Sequence, residues 1–216
     1  MIYKAAIFDL DGTILDSMPI WSSLCRRFLL SHNIDDDIDL DGKLGVLSIR
    51  NALEYVIKEF DLSVDLDTAC CQTWQIIGDF YRNEAELKPG IAEILSELKQ
   101  KNIPAGIITA TESALVNDAL KRVGLENYFS GGIISCADAQ TSKKSPEVFF
   151  TMCRKLGTLP ENTIVFEDAL YAAKTAKNAG FSLAAVYDPS EKNPAQLAEI
   201  ADYYCRSWDE FPLEVL

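Results

Sequence analysis

The first apolar run of the chain, Ala5-Ala6-Ile7-Phe8, has no polar interruption and ends directly on Asp9-Leu10-Asp11-Gly12-Thr13. A run this short, closed by turn residues, reads as a buried strand, with Gly12 as the residue that lets the chain leave it. Beyond Thr13 the period changes. Ile20, Leu24, Phe28 and Leu29 recur every three to four residues behind Pro19, which suits a helix start. Helical patterns continue through Ile49 to Phe60 and Thr68 to Tyr81, and no strand pattern lies between Ser17 and Glu84. Lys88-Pro89-Gly90 ends this block.

From Pro89 onward the two periods alternate. Helices are predicted over Gly90 to Lys101, Ser113 to Val123, Pro146 to Leu156 and Ala169 to Ala179. Strands are predicted over Ala105 to Ile108, Gly132 to Ser135, Thr163 to Phe166 and Leu183 to Tyr187. Gly124 and Gly180 stand where the second and fourth of these helices should close. Apolar, β-branched strands alternating with helices of about ten residues imply an α/β fold with a doubly wound parallel sheet covered on both faces. Residues 1–15 and 85–216 should form this Rossmann-like core, with 16–84 an all-helical insertion after the first strand. A chain of 216 residues can bury about 70% of the surface its unfolded form exposes, enough for a core and a small satellite domain.

Ligands bind such sheets beyond the carboxyl ends of the strands, which directs attention to the polar residues there. Asp9 and Asp11 would point to opposite faces within a strand, but both lie just past its end, where a bend can bring them to one cleft. One aspartate carboxylate can attack phosphorus, and a second carboxyl can serve as general acid and then base. A solvated acidic turn is the bland alternative, because Asp and Gly are ordinary turn residues. A calcium loop beginning at Asp9 fails at its twelfth position, Ile20. One beginning at Asp37 (Asp37-Ile-Asp39-Leu-Asp41-Gly42) fails at Ser48, so an acidic solvated loop is expected there.

Three further stretches carry candidate chemistry. Thr109, with the backbone N–H groups that follow it from Ala110, can hold phosphate oxygens near a helix start, although local sequence alone favours a plain helix cap. Glu167 and Asp168 close their strand in the same topological place as Asp9. Acids clustered at strand ends repel one another unless a cation lies between them, and oxygen ligands suit magnesium. Adjacent Lys143 and Lys144 are ordinarily solvated surface, yet an anionic intermediate held by carboxylates needs a cation nearby.

With Ile7 to Ser17 and these later segments in view, the sequence resembles the haloacid dehalogenase-like (HAD) hydrolase superfamily over essentially its whole length. It is most similar to helical-cap phosphatases and beta-phosphoglucomutase-like members. Members with Asp two residues after the nucleophile are mostly phosphatases and phosphomutases; dehalogenases carry a non-acidic residue there. The resemblance implies Asp9 as nucleophile and Asp11 as general acid and base. It implies magnesium held by the Asp9 carboxylate, the Asp11 backbone carbonyl and Asp168, with Glu167 a direct or water-mediated ligand. Thr109, Ala110 and Lys143 would bind the phosphate. Similar members read Gly-Lys-Pro-x-Pro-Asp where this chain has Ser142-Lys143-Lys144-Ser145-Pro146-Glu147. Pro146 and Glu147 align Lys143 with the catalytic lysine, and Lys144, in place of a proline, is an alternative contributor. Ala169 and Ala172 replace the Ser and Gly of the family's Asp-Ser-x-x-Gly-Ile helix. Similar sugar phosphomutases carry a histidine five residues after the hinge aspartate, here Asp16; this chain has Trp21 there, and its one histidine is His32. The expectation is a magnesium-dependent phosphatase acting on a small phosphorylated metabolite. A sugar phosphomutase is the alternative, and a non-enzymatic phospho-receiver a more distant one, since receivers are about half this length.

Composition narrows the partners. A net charge of −13 disfavours nucleic acid and anionic membrane, while magnesium and one lysine can set the local field for an anionic substrate. The six cysteines form no C-x-x-C pair, and with one histidine a zinc site is disfavoured. They are expected to be buried free thiols in a reducing compartment. No basic leader with a long apolar run precedes the first strand, and no apolar run approaches eighteen residues, so a cytoplasmic monomer is expected.

Overall fold

The computed structural model describes residues 3–35, 44 and 47–216; the acidic stretch Asp37 to Gly42 lies outside them. The chain divides into two compact units, Met1–Asp16 with Ala85–Leu216, and Ser17–Glu84.

The smaller unit is helical: α1 Met18–Ser31, α2 Ile49–Glu59 and α3 Leu66–Asn83. α1 buries Ile20, Leu24, Phe28 and Leu29, the four positions of its sequence period. Ser48 and Asp65 cap α2 and α3 by accepting the N–H groups of Asn51 and Thr68, each cap stabilising by about 1 kcal/mol. His32 is engaged within this unit, its Nε2 lying 3.0 Å from Gln72 Oε1. Trp21 lines an apolar cavity of about 300 Å³ with Leu24, Leu53 and Thr73.

The larger unit is built on six parallel strands: β1 Ala5–Phe8, β2 Ala105–Thr109, β3 Ile133–Ser135, β4 Thr163–Glu167, β5 Ser182–Val186 and β6 Tyr203–Cys205. Their order is β3-β2-β1-β4-β5-β6. The strand order reverses at β1, and the crevice of a doubly wound sheet opens at such a switch point. The covering helices are α4 Ile91–Gln100, α5 Ser113–Arg122, α6 Glu147–Leu156, α7 Leu170–Asn178 and α8 Pro194–Ile200.

Strand alternation sorts the core into two layers. Ile7 pairs with Val165, and both pack with Phe149 and Met152 of α6, Ala176 of α7 and Phe181. Phe8 pairs with Phe166, and on this opposite face their rings stack at 4.3 Å, with Phe129, Trp208 and Phe211 meeting them edge-on. Each such buried aromatic contributes roughly 1.5–3 kcal/mol through area removed from water. Gly106, mid-strand in β2, has a packing cause: a Cβ there would overlap Met152 Sδ.

The structure differs from the sequence reading in several respects, the ends of most elements among them. β2 and β4 run one residue further than predicted, through Thr109 and Glu167. α8, β6 and the 3₁₀ turns at Trp208–Glu210 and Leu213–Val215 follow the last element read from sequence. None of the six cysteines is in a disulfide, and only Cys136, Cys153 and Cys205 are buried; Cys25 and Cys70 are half-buried and Cys71 is exposed. Cys25 and Cys70 are only half-buried because their neighbours Leu24 and Ala69 take the buried positions of α1 and α3, and Cys71 falls between the buried Ala69 and Thr73. No helix of the described residues is long and apolar enough to cross a membrane.

Candidate active site

Everything in the site hangs from the carboxyl ends of β1, β2 and β4 and the loop after β3. The Asp9 N–H still belongs to the sheet, donating to Phe166 O at 2.9 Å. The chain then coils tightly: Leu10 O accepts from the N–H groups of Ile14 and Leu15, and Gly12 N–H donates to Leu15 O. Gly12 sits at φ 83°, in the left-handed region where a side chain is strained. This coil breaks strand alternation. It leaves Asp9 buried and Asp11 partly exposed.

Lys143, 4% exposed, bonds through Nζ to Asp9 Oδ1 at 2.6 Å and Glu167 Oε2 at 2.8 Å. Asp168 is held by the Thr13 hydroxyl, which donates to Oδ1 at 2.9 Å and also lies 3.5 Å from Asp9 Oδ2. Asp9, Glu167 and Asp168 offer ligand oxygens within 4.8 Å of one another, all buried. Lys144, by contrast, is exposed, its backbone N–H turned to Ser142 Oγ. Of the two lysines, the structure brings Lys143 to the carboxylates.

Asp11 is oriented from β2. Thr111 Oγ1 donates to Asp11 Oδ2 at 2.6 Å and Thr109 Oγ1 lies 3.5 Å from the same oxygen. Thr109 Oγ1 in turn accepts the Thr111 N–H at 3.1 Å. Thr109 is therefore not the cap of α5: Glu112 occupies that position without a side-chain bond, and Asp138 accepts the Ser113 N–H instead. Ala110 follows at the strand end and is exposed.

The electrostatics are unbalanced. Burial works against the Lys143 charge, but the carboxylates of Asp9 and Glu167 outweigh it and hold its pKa well above the usual lysine range. Burial, joined by the charge of Asp9 and opposed by Lys143, pushes Glu167 up to about 7. Asp168 is raised well above the ordinary carboxylate range, by burial first and then by Asp9 and Glu167. Three clustered carboxylates with one ammonium invite a cation. The donor set, all carboxylate oxygen with no thiolate or imidazole, fits a hard ion such as magnesium.

Two contributors lacked a role in the sequence reading, Thr13 and Thr111. Both carried a signal: a hydroxyl next to the turn glycine, and a second hydroxyl two residues after Thr109 in a strand-to-helix turn. Which carboxylate each would reach depends on how the loops coil, and the linear pattern does not encode that.

The profile of the family described as haloacid dehalogenase-like hydrolase matches residues 6–186. A validoxylamine A 7'-phosphate phosphatase of Streptomyces hygroscopicus is 30% identical over 83% of each chain. A phosphorylated carbohydrates phosphatase of Thermotoga maritima is 25% identical over 82% of each. In overall fold, the chain superposes on the crystal structure of a candidate beta-phosphoglucomutase of Thermotoga maritima with a TM-score of 0.84, at 24% identity over 96% of this chain and 95% of that one.

Proposed function

The chain belongs to the haloacid dehalogenase-like hydrolases, and from that premise we propose that it is a magnesium-dependent phosphatase hydrolysing a small phosphorylated metabolite, with Asp9 as nucleophile. The observation that carries the reading is the pairing of two carboxyl groups in different environments. Asp9 is buried against Lys143; Asp11, two residues on, is more open and held by threonine hydroxyls. Separate environments suit separate roles.

An Asp9 carboxylate oxygen attacks phosphorus in line with the departing oxygen, and the P–O bond to the leaving group breaks as the Asp9 acyl-phosphate forms. Asp11 gives its proton to that leaving oxygen, then takes one from the water that attacks the acyl-phosphate, so free phosphate leaves and Asp9 is regenerated. Lys143 offsets charge on the transferring group; Thr109 and the Ala110 N–H contribute donors to its oxygens. Asp9, the Asp11 backbone carbonyl, Asp168 and Glu167 would hold magnesium, with Glu167 bonded directly or through water. The ion neutralises phosphoryl charge when bound. The larger, more flexible shell of calcium would favour bidentate capture of Asp9, so calcium should support turnover poorly.

Similarity to a phosphorylated carbohydrates phosphatase and to a validoxylamine A 7'-phosphate phosphatase supports a sugar phosphate or a chemically similar monoester. Trp21, in the hinge position where similar mutases carry histidine, supports hydrolysis over transfer, since an indole does not titrate near neutral pH. The test is phosphate release from a panel of sugar monophosphates with magnesium, followed by ³¹P NMR of glucose 1-phosphate with a bisphosphate primer. Phosphate release should dominate; conversion to glucose 6-phosphate outpacing it would replace the phosphatase with a mutase.

A further inference from the structure

We propose that Trp208, near the far end of the chain, is a positioning residue for the metal-ligating carboxylates. This rests on the reading of Asp9 and Asp168 as magnesium ligands. Trp208 is 1% exposed, and its indole N–H donates to the backbone carbonyl of Thr13 at 2.8 Å. The side-chain hydroxyl of the same Thr13 donates to Asp168 and approaches Asp9. One residue thus receives a fixed bond on its main chain and delivers another to the carboxylates.

Packing makes this contact stiff. The indole meets the Phe166 ring edge-on at 5.5 Å, and Phe166 immediately precedes Glu167 and Asp168 in the chain. On its other side the 3₁₀ turn carrying Trp208 abuts the segment returning to the sheet: a Cβ on Gly90 would lie 2.8 Å from Asp209 N and 2.9 Å from Trp208 Cβ. That segment is itself tied to the Asp9 loop, with Lys88 N–H bonded to Ile14 O at 2.8 Å. A well-packed indole whose N–H has a buried acceptor has little rotational freedom. Phenylalanine would fill most of the same space and leave the Thr13 carbonyl without that donor. Rotation of this peptide would carry the Thr13 hydroxyl away from Asp168, and metal sites lose affinity when the groups that orient their ligands are removed, typically about 10–100-fold.

The experiment compares the full-length wild type with Trp208→Phe and Phe211→Leu, titrating MgCl₂ alone and reading its midpoint by thermal shift. Phe211 also packs on Phe166 but has no bond to Thr13, so its variant reports the cost of loosening the layer. Trp208→Phe should raise the magnesium midpoint about tenfold, while Phe211→Leu lowers the melting temperature and leaves the midpoint within about twofold of wild type. An unchanged midpoint in Trp208→Phe, or an equal change in Phe211→Leu, would overturn the proposal. Absence of a magnesium response in the wild type would instead refute the metal reading on which it rests. A second measurement needs no variant: in ¹⁵N-tryptophan-labelled wild type, magnesium should shift the Trp208 indole N–H resonance, while Trp74 stays fixed. A Trp208 signal indifferent to saturating magnesium would equally overturn it.

Discussion

If Asp9, Glu167 and Asp168 hold magnesium as proposed, removing the ion should change how stability of the larger unit depends on pH. Without metal, Glu167 is pushed from 4.5 up to about 7. Through that window the folded chain retains a proton that the unfolded chain has already released. Its contribution to stability is therefore full below the unfolded value and lost as pH rises through the folded one. A change from 4.5 to about 7 corresponds to roughly 3 kcal/mol. Asp168, raised in the same direction, adds to the loss. Bound magnesium reverses the preference, since it favours the ionised carboxylates that burial penalises. At about a hundred times its dissociation constant the ion would stabilise by about 2.7 kcal/mol. For a domain of this size that is roughly 5–10 °C in melting temperature. At about pH 5.5 the ion must displace a proton from Glu167, and the shift should shrink to under about half its value at about pH 8. The assay is differential scanning fluorimetry in EDTA and in excess MgCl₂ across this range. Equal magnesium shifts at both pH values, or metal-free stability that climbs from about pH 5 to 7, would refute the argument.

Three substitutions test other parts of the site and its support. Asp11→Asn should slow turnover by roughly 10²–10⁴-fold, most for alkyl phosphates whose leaving oxygen needs a proton; an equal loss with p-nitrophenyl phosphate in steady-state kinetics would count against Asp11 as the acid. Thr111→Val removes the 2.6 Å bond to Asp11, a contact of about 1.5–3 kcal/mol, and should lower kcat about tenfold and the melting temperature by roughly 3–12 °C; an unaltered kcat would remove Thr111 from the site. Gly106→Ala drives a methyl into the Met152 thioether and should cost about 1–3 kcal/mol by urea denaturation; a neutral result would mean that the flexible Met152 side chain repacks to make room.

The sequence was most informative where one physical cause dominates. Ala5–Phe8 and Thr163–Glu167 are buried on both faces, so the apolar runs Ala5 to Phe8 and Ile164 to Phe166 announced them. β6 is a three-residue strand with two half-buried tyrosines, and α8 has seven residues and one buried side chain, Leu197; neither is long enough to show a period. Lys143 could be distinguished from Lys144 only through a family pattern, because adjacent lysines look alike until one is folded inward. Thr13 and Trp208 were hidden for a deeper reason: 195 residues separate the indole donor from its acceptor, and only the packed sheet brings them together.

That dependence on packing extends to the carboxylates. In the parallel register Phe8 lies beside Phe166 and Ile7 beside Val165, so the next residues on each strand, Asp9 and Glu167, leave the sheet side by side. A slip of one residue between β1 and β4 would offset them by about 3.3 Å and would turn one strand's inward set to the opposite face. Lys143 Nζ could then not keep both its 2.6 Å and 2.8 Å bonds. The slip is resisted some distance from any charge, by the Phe8–Phe166 stack at 4.3 Å on one face and by Ile7 and Val165 packed with Phe149 and Met152 on the other. Large-to-small changes at Phe8 or Phe166 should therefore reach the chemistry through register as well as through stability, because the apolar layer that closes the core also sets the spacing of the buried acids.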